Sequence, residues 1–186
     1  WDSVYRTDVE HFKTRGDFGD IWFGEDSALR IIRWIIENVP ETDVSIIDLG
    51  CGNGMLLIEL AREGYNNLTG VDYCQSAIEL SEKVANSQEI SCIKFKVADL
   101  TGDVNHLGSF NIALDKGTYD AVSLNPEDAF VKRRKYIENV ASIVSQKGMF
   151  IITSCNWTES ELVEHFKSGK YFWNTDQWCD LQVVEH

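Results

Sequence analysis

Four aspartates, Asp48, Asp72, Asp99 and Asp115, each close or follow a short β-prone run. The first is trailed by glycines at alternate positions, Gly50, Gly52 and Gly54. A single carboxylate at a strand end is an ordinary cap or turn residue. Four gathered along one edge repel one another unless a cationic or hydrogen-bonding group sits among them, so a shared ligand is the economical explanation. The glycines suit a sharp backbone turn or the close approach of a ligand to the chain. The chemistry on offer is the binding of a polar, positively charged molecule.

The stretch Ser45-Ile46-Ile47-Asp48-Leu49-Gly50-Cys51-Gly52-Asn53-Gly54-Met55 reads as strand, tight loop, helix. Its G-x-G-x-G loop differs from the G-x-G-x-x-G cradle of a dinucleotide pyrophosphate, and no G-x-x-x-x-G-K-[ST] occurs, which excludes Walker-type phosphate binding. Asp72 stands where either class of adenosine cofactor places its ribose-binding acid. Asp48 tips the balance, because a carboxylate beside a pyrophosphate is repelled, whereas S-adenosylmethionine brings an ammonium and a sulfonium. The helix N-terminus after Gly54 can still face a carboxylate. Asp48 then lies near the amino-acid end, through a water or backbone amides. Asp72 accepts from the ribose hydroxyls, and Asp99 with the Leu100 amide grips the adenine edge.

The elements that must position these groups alternate. Leu29, Ile32, Arg33, Ile36 and Val39 sit at helical spacing after Asp26-Ser27, and Pro40 closes that helix. A strand over Val44–Leu49 leads to a helix over Met55–Glu63. Leu68–Asp72 is a second strand, Ser76–Ala85 a helix and Ile90–Val97 a third strand. Phe110–Leu114 follows a polar loop, and Asn125-Pro126 is predicted to open a long helix reaching Ser145. Gly148 breaks it before a fifth strand, Met149–Ser154. Thr158-x-x-Glu161 is a capping box, and Leu181–Val184 reads as a sixth strand. Such alternation predicts an α/β fold: a doubly wound, mostly parallel sheet with helices on both faces. Residues 1–24 carry Trp1, Tyr5, Phe12, Phe18, Trp22 and Phe23 among charges, expected either as a flap over the site or as part of the core.

The totals narrow the class. The 186 residues suit one domain, expected to span residues 1–186 with sheet and helices over 44–186. Basic side chains number 17 and acidic ones 30, giving a charge of −13, which disfavours direct nucleic-acid binding and is compatible with a basic protein partner. Five scattered cysteines, Cys51, Cys74, Cys92, Cys155 and Cys179, form no C-x-x-C, so no metal site is expected and a reduced, cytoplasmic setting is. No run approaches the ~20 apolar residues of a membrane span. The charged start lacks the pattern of a signal peptide. The four histidines share no spacing and read as surface residues, and Lys132-Arg133-Arg134-Lys135 reads as a solvated helix face.

Asp48-Leu49-Gly50-Cys51-Gly52-Asn53-Gly54 resembles the first signature of class I methyltransferases, and Gly70-Val71-Asp72-Tyr73 their second. Asp115-Lys116-Gly117-Thr118-Tyr119-Asp120-Ala121 is similar to the D-K-G-T-[FLY]-D-A signature of enzymes that modify lysines of translation elongation factor 1-alpha. Trp1-Asp2 and Trp22-Phe23-Gly24 resemble that group's W-D and W-F-G elements. Ser123-Leu-Asn-Pro-Glu-Asp-Ala and Ile152-Thr-Ser-Cys-Asn-Trp-Thr point to the elongation factor 1-alpha lysine methyltransferase 2 family. The resemblance implies a Rossmann-like class I fold and a protein-lysine N-methyltransferase that takes its methyl from S-adenosylmethionine. It also implies a seventh, antiparallel strand, expected beyond the end of this chain. Cofactor contacts carried over by position are Trp1, Trp22, Gly50, Asp72, Tyr73, Asp99, Leu100 and, through its backbone, Lys116. The protein substrate would be elongation factor 1-alpha, bound by a monomer with no nucleic acid or membrane involved.

For the transfer itself, Asp115 and Asn156 are expected as polar groups at the amine, with Tyr119 and Trp157 walling an aromatic channel. The alternative for Asp115 is a turn-stabilising carboxylate, and for Trp157 plain packing. Cys51 has no evident partner base and reads as a small space-filler. A small-molecule methyltransferase, which would need a lid over its whole site, is the rival reading. A binding module without activity is a second. The absence of N-P-P-[YF] after the fourth strand argues against amide-like amine targets.

Overall fold

A computed structural model describes residues 1–19, 24–167 and 180–183. Six strands form one sheet in the order β3-β2-β1-β4-β5-β6, and every neighbouring pair among them is parallel. They are β1 (Ile46–Leu49), β2 (Leu68–Asp72), β3 (Ile93–Val97), β4 (Phe110–Lys116), β5 (Val144–Thr153) and β6 (Asp180–Val183). Strand order reverses between β1 and β4, where open α/β sheets bind ligands at their carboxyl ends. The register is fixed at that point by Asp48 lying beside Gly70 of β2 and Leu114 of β4.

The central strands are apolar on both sides because helices cover both faces. Ile46, Ile112, Leu114 and Ile151 pack with α2 (Gly24–Asn38) and α3 (Met55–Arg62). Their immediate neighbours Ile47, Ala113, Phe150 and Ile152 pack on the opposite face with α6 (Ala129–Ile143) and α7 (Glu159–Lys167). This one-residue alternation is the pleat itself. A third cluster joins Ile58 of α3 with Ala77, Leu80 and Val84 of α4 (Gln75–Ser87) and with Tyr5 and Val9 of α1 (Asp2–Arg15).

Several expectations change. The aromatic N-terminal segment contains a regular helix, α1, closed by Gly16 at φ 72°. Its buried stripe is only Tyr5 and Val9, which is too narrow to announce a helix in the sequence. In α2 the buried face is Ala28, Ile31, Ile32 and Ile35, so Leu29 and Ile36 are exposed. The long helix after Pro126 begins three residues later, at Ala129, behind Asp128 at φ 55°. It ends at Ile143, and β5 already starts at Val144, with the register against β4 shifting between Phe110 and Ile112. A short helix, α5 (Thr118–Ser123), occupies the turn after β4.

Gly54 illustrates how tightly the first loop is seated. Its φ is +78°, and an added Cβ would lie 2.9 Å from Ser81 Cβ and 3.0 Å from the Phe95 ring. Gly54→Ala is therefore expected to lower stability by about 1–3 kcal/mol, read as a shifted urea midpoint. An unchanged midpoint would contradict the packing described.

Candidate active site

The carboxyl edge of the sheet is built around Asp72. One of its oxygens accepts the Gly52 N–H at 3.2 Å and the other the Cys74 N–H at 2.9 Å. The side chain thus ties the loop after β1 to the turn after β2. Burial raises its pKa, and the two loop amides oppose that rise. Gly50 and Cys51 donate their own N–H groups to the Val71 carbonyl, at 2.8 and 2.9 Å, which closes the turn. Gly50, Gly52 and Gly54 all have positive φ, as the glycine spacing predicts. Side chains are excluded there in different ways. A Cβ on Gly50 would collide with Thr118, and one on Gly52 would come within 2.9 Å of the Tyr5 hydroxyl.

That second contact shows what the N-terminal segment does. Tyr5 brings α1 against the glycine loop, and the Asn53 side-chain amide donates to the Phe18 carbonyl at 3.1 Å. Asp2 anchors the other end, accepting from Ser76 Oγ at 3.1 Å and Cys74 Sγ at 3.3 Å, and those bonds lower its pKa. Trp1 stacks on Tyr5 at 6.2 Å between centroids and stays half exposed, while Tyr73 at the end of β2 is 57% exposed. Trp22 lies outside the described residues.

Asp48 is buried between β2 and β4. Burial pushes its carboxyl up to about 7, with the Lys116 charge pulling the other way and Asp72 adding to the rise. Lys116, expected to act through its backbone, thus also contributes a cationic side chain, and burial lowers its pKa against the pull of Asp48 and Asp115. Asp99 is exposed and accepts from the amide and hydroxyl of Thr101 at 2.8 and 2.7 Å. Leu100 beside it is buried, and its carbonyl accepts from Asn139 at 2.8 Å.

Asp115 is placed differently from an amine-binding group. It is fully buried and accepts from the amides of Thr118 at 2.7 Å and Tyr119 at 2.9 Å, and from the Tyr136 hydroxyl at 2.5 Å. Burial raises it to about 7. Its geometry is that of a carboxylate holding the N-terminal turn of α5. Asp120, whose partners lie 34 and 35 residues away in sequence, performs the next tie. It accepts from Ser154 Oγ at 2.5 Å and the Cys155 amide at 2.9 Å, joining α5 to the loop after β5. Ser154 Oγ in turn accepts from the amides of Asn156 and Trp157. Asn156 is left exposed at the rim and Trp157 half buried.

Tyr119 is buried behind this loop, its ring 6.3 Å from Trp157, and its hydroxyl lies 2.9 Å from His165 Nδ1. His165 is half buried and packs edge-on against Trp157 at 4.7 Å, which corrects its reading as a surface residue. Burial and the nearby Arg133 lower its pKa. Among the described residues the buried Trp157 Nε1 and Thr153 Oγ1 lack hydrogen-bond partners. Thr153 ends β5 and Trp157 lies in the loop that follows it, and Ser123 and Ser145 likewise have side-chain oxygens without a partner among the described residues. Cys51 is buried and its thiol is pushed up by burial, consistent with an inert filler. No group of His, Cys, Asp or Glu among the described residues could hold a metal ion, and no described helix is long and apolar enough to cross a membrane.

The donor set suits a cationic nucleoside. Asp72 accepts from the Gly52 and Cys74 amides, and the Tyr73 amide adds to their pull on its pKa. Asp48 sits two residues before Gly50, and at the start of α3 the Met55 amide donates to Asn53 Oδ1 at 3.3 Å. A family described as "Methyltransferase domain" matches residues 40–186. Human EEF1A lysine methyltransferase 2 is 46% identical over 169 residues, covering 91% of this chain and 72% of the human one. Protein-lysine N-methyltransferase EFM4 of Saccharomyces cerevisiae is 33% identical over 194 residues, covering 98% and 85%. The chain belongs to the EEF1A lysine methyltransferase 2 family. The fold likeness extends further, to an S-adenosylmethionine-dependent methyltransferase from Clostridium acetobutylicum. That structure has a TM-score of 0.56 at 20% identity, covering 80% of this chain and 56% of that one.

The buried acid of β1 has a measurable signature. Asp48 keeps its proton in the folded protein up to about 7, whereas the unfolded chain releases it near the ordinary value of 3.8. The unfolded state then binds fewer protons between about pH 4 and 7, and stability falls as pH rises through that window. Asp48→Asn is expected to gain ~1 kcal/mol or more on the parent at pH 8 relative to the difference at pH 4, by paired urea melts. A difference independent of pH would contradict a buried, proton-holding Asp48.

Proposed function

We propose that this protein, as a monomeric single methyltransferase domain in the cytoplasm, transfers methyl groups from S-adenosylmethionine to a lysine of translation elongation factor 1-alpha. The observation that carries the reading is Asp72, a buried carboxylate at the end of β2, fixed by the glycine loop that follows β1. Kinship with the EEF1A lysine methyltransferases supports the substrate. The donor supplies an activated methyl on a sulfonium, and the chain's work is to bind, orient and exclude water.

In this reading Asp72 accepts from the ribose hydroxyls, and Asp99 with the Leu100 amide borders the adenine. Gly50, Gly52 and the start of α3 face the methionine carboxylate, and Asp48 and Lys116 border the amino-acid end. Trp1 on the N-terminal segment and Tyr73 after β2 border the nucleoside, and Trp22 is a further contact that the resemblance implies. A lysine amine must lose its proton before attack, since its ordinary pKa is ~10.4. An apolar, water-poor approach favours the neutral form. Trp157 walls that approach, and Asn156 offers a polar group at its mouth. Tyr119 and Asp115 hold the wall in place, and Asp115 acts as a positioning residue. The amine nitrogen bonds to the methyl carbon as the carbon–sulfur bond breaks, the electron pair leaving with sulfur and a proton going to solvent.

The direct test incubates the protein with methyl-labelled donor and a lysate lacking its own copy. One labelled band at the size of the elongation factor is expected, and label confined to small molecules would establish the rival reading instead. Asp72→Ala is expected to weaken donor binding at least ~10-fold by calorimetry, the loss of hydrogen bonds to a charged acceptor. Near-parental affinity would remove Asp72 from the ribose.

A further inference from the structure

We infer that Asn139 is a positioning residue for the base of the methyl donor: from α6 it seats the turn after β3, and that seating makes the site selective for adenine. The inference deepens the reading above and rests on its placement of adenine at Asp99 and Leu100.

The turn is shaped by bonds of its own. Gly102 donates its N–H to the Asp99 carbonyl at 3.0 Å, closing residues 99–102, and Asp99 Oδ1 accepts from the Thr101 amide and hydroxyl. These bonds do not fix where the turn sits on the molecule. Others do. The Ala98 amide donates to the Asp72 backbone carbonyl at 2.9 Å, which sets the turn beside the acid assigned to the ribose. Asn139 Nδ2 donates to the Leu100 carbonyl and to the Gly102 carbonyl, each at 2.8 Å. An amide nitrogen has two hydrogens, and both are engaged by this one turn.

Helix formation does not call for an asparagine at this place. The residue is a poor helix former, and it lies on the buried side of α6 among Tyr136, Ile137, Val140 and Ile143. A buried amide is unfavourable unless its bonds are made, and an apolar side chain would fill the space without that demand. What the asparagine adds is a fixed distance between α6 and the turn. Tyr136, three residues earlier, donates its hydroxyl to Asp115 of β4, so the helix is itself tied to the sheet edge. The turn is thus held to β2 through Ala98 and to α6 through Asn139.

That placement matters because the edge of a base is read by direction. In the reading above, adenine presents an amino group that donates to the Asp99 carboxylate and a ring nitrogen that accepts from the Leu100 amide. Hypoxanthine presents a carbonyl and an N–H at the same two places, so both contacts become repulsive. Leu100 carries the amide that meets the base on one side of its Cα and the carbonyl that Asn139 holds on the other. Discrimination between the two bases lasts only while that amide keeps hydrogen-bond geometry.

The test measures calorimetric affinities of S-adenosylhomocysteine and S-inosylhomocysteine for the parent, for Asn139→Leu and for Asn139→Ser. The parent should prefer the adenosyl ligand ~100-fold or more. Asn139→Leu keeps the branched shape without donors. It should bind the adenosyl ligand ~10-fold more weakly, with its inosyl affinity within about two-fold of the parent's. Asn139→Ser, which retains one donor, should fall between, and it carries the test where the leucine variant does not fold. A ratio that stays parental in the folded variants, whether both ligands weaken alike or neither does, overturns the inference and leaves the methyl-donor reading standing. A parent that binds the two ligands equally overturns the placement of adenine and the inference together. A parent that binds neither overturns the donor reading itself.

Discussion

Everything at the carboxyl edge depends on one buried carboxylate being shared between two loops. Asp72 accepts from Gly52 and Cys74, so the turn after β1 and the turn after β2 cannot move independently. Burying an acid this deeply is unfavourable unless donors surround it. One of those donors, the Gly52 amide, is presented by a loop whose glycines take positive φ, and the other, the Cys74 amide, comes from the turn after β2. Loop shape and acid are therefore one requirement.

The same device recurs along the edge. Asp115 secures the first turn of α5 and the Tyr136 hydroxyl, and Asp120 secures the loop after β5 through Ser154 and Cys155. Strand-end acids thus do two jobs. Asp48 and Asp72, on β1 and β2, lie beside the glycine loop, and Asp115 and Asp120, at and beyond the end of β4, hold α5 and the loop after β5. Tyr119, His165 and Trp157 pack as one unit, so the loop carrying Asn156 is held by groups several elements away.

Much of this was legible from residue order. The strands, their parallel arrangement, the family and the glycine loop all follow from local runs that structure leaves intact. What escaped depends on partners remote in sequence. Whether Asp115 faces an amine or a turn is decided by Tyr136, and the place of His165 by Tyr119, 46 residues away. Helix α1 was hidden because two buried residues suffice when the remaining face is solvated. Helix α6 starts later than Asn125-Pro126 suggests because Asn125 caps a local turn, with Glu127, instead of the helix.

The central claim is that the carboxylates of this edge hold a cationic nucleoside with Asp72 at its sugar. The most direct measurement is a crystal structure of the protein with S-adenosylhomocysteine, the demethylated donor. Ribose hydroxyls within hydrogen-bond distance of the Asp72 carboxylate, with the amino-acid end beside the Gly50–Gly54 loop, are the predicted result. Nucleoside density elsewhere on the molecule, or an Asp72 that bonds only to Gly52 and Cys74 while ligand is bound, would contradict it.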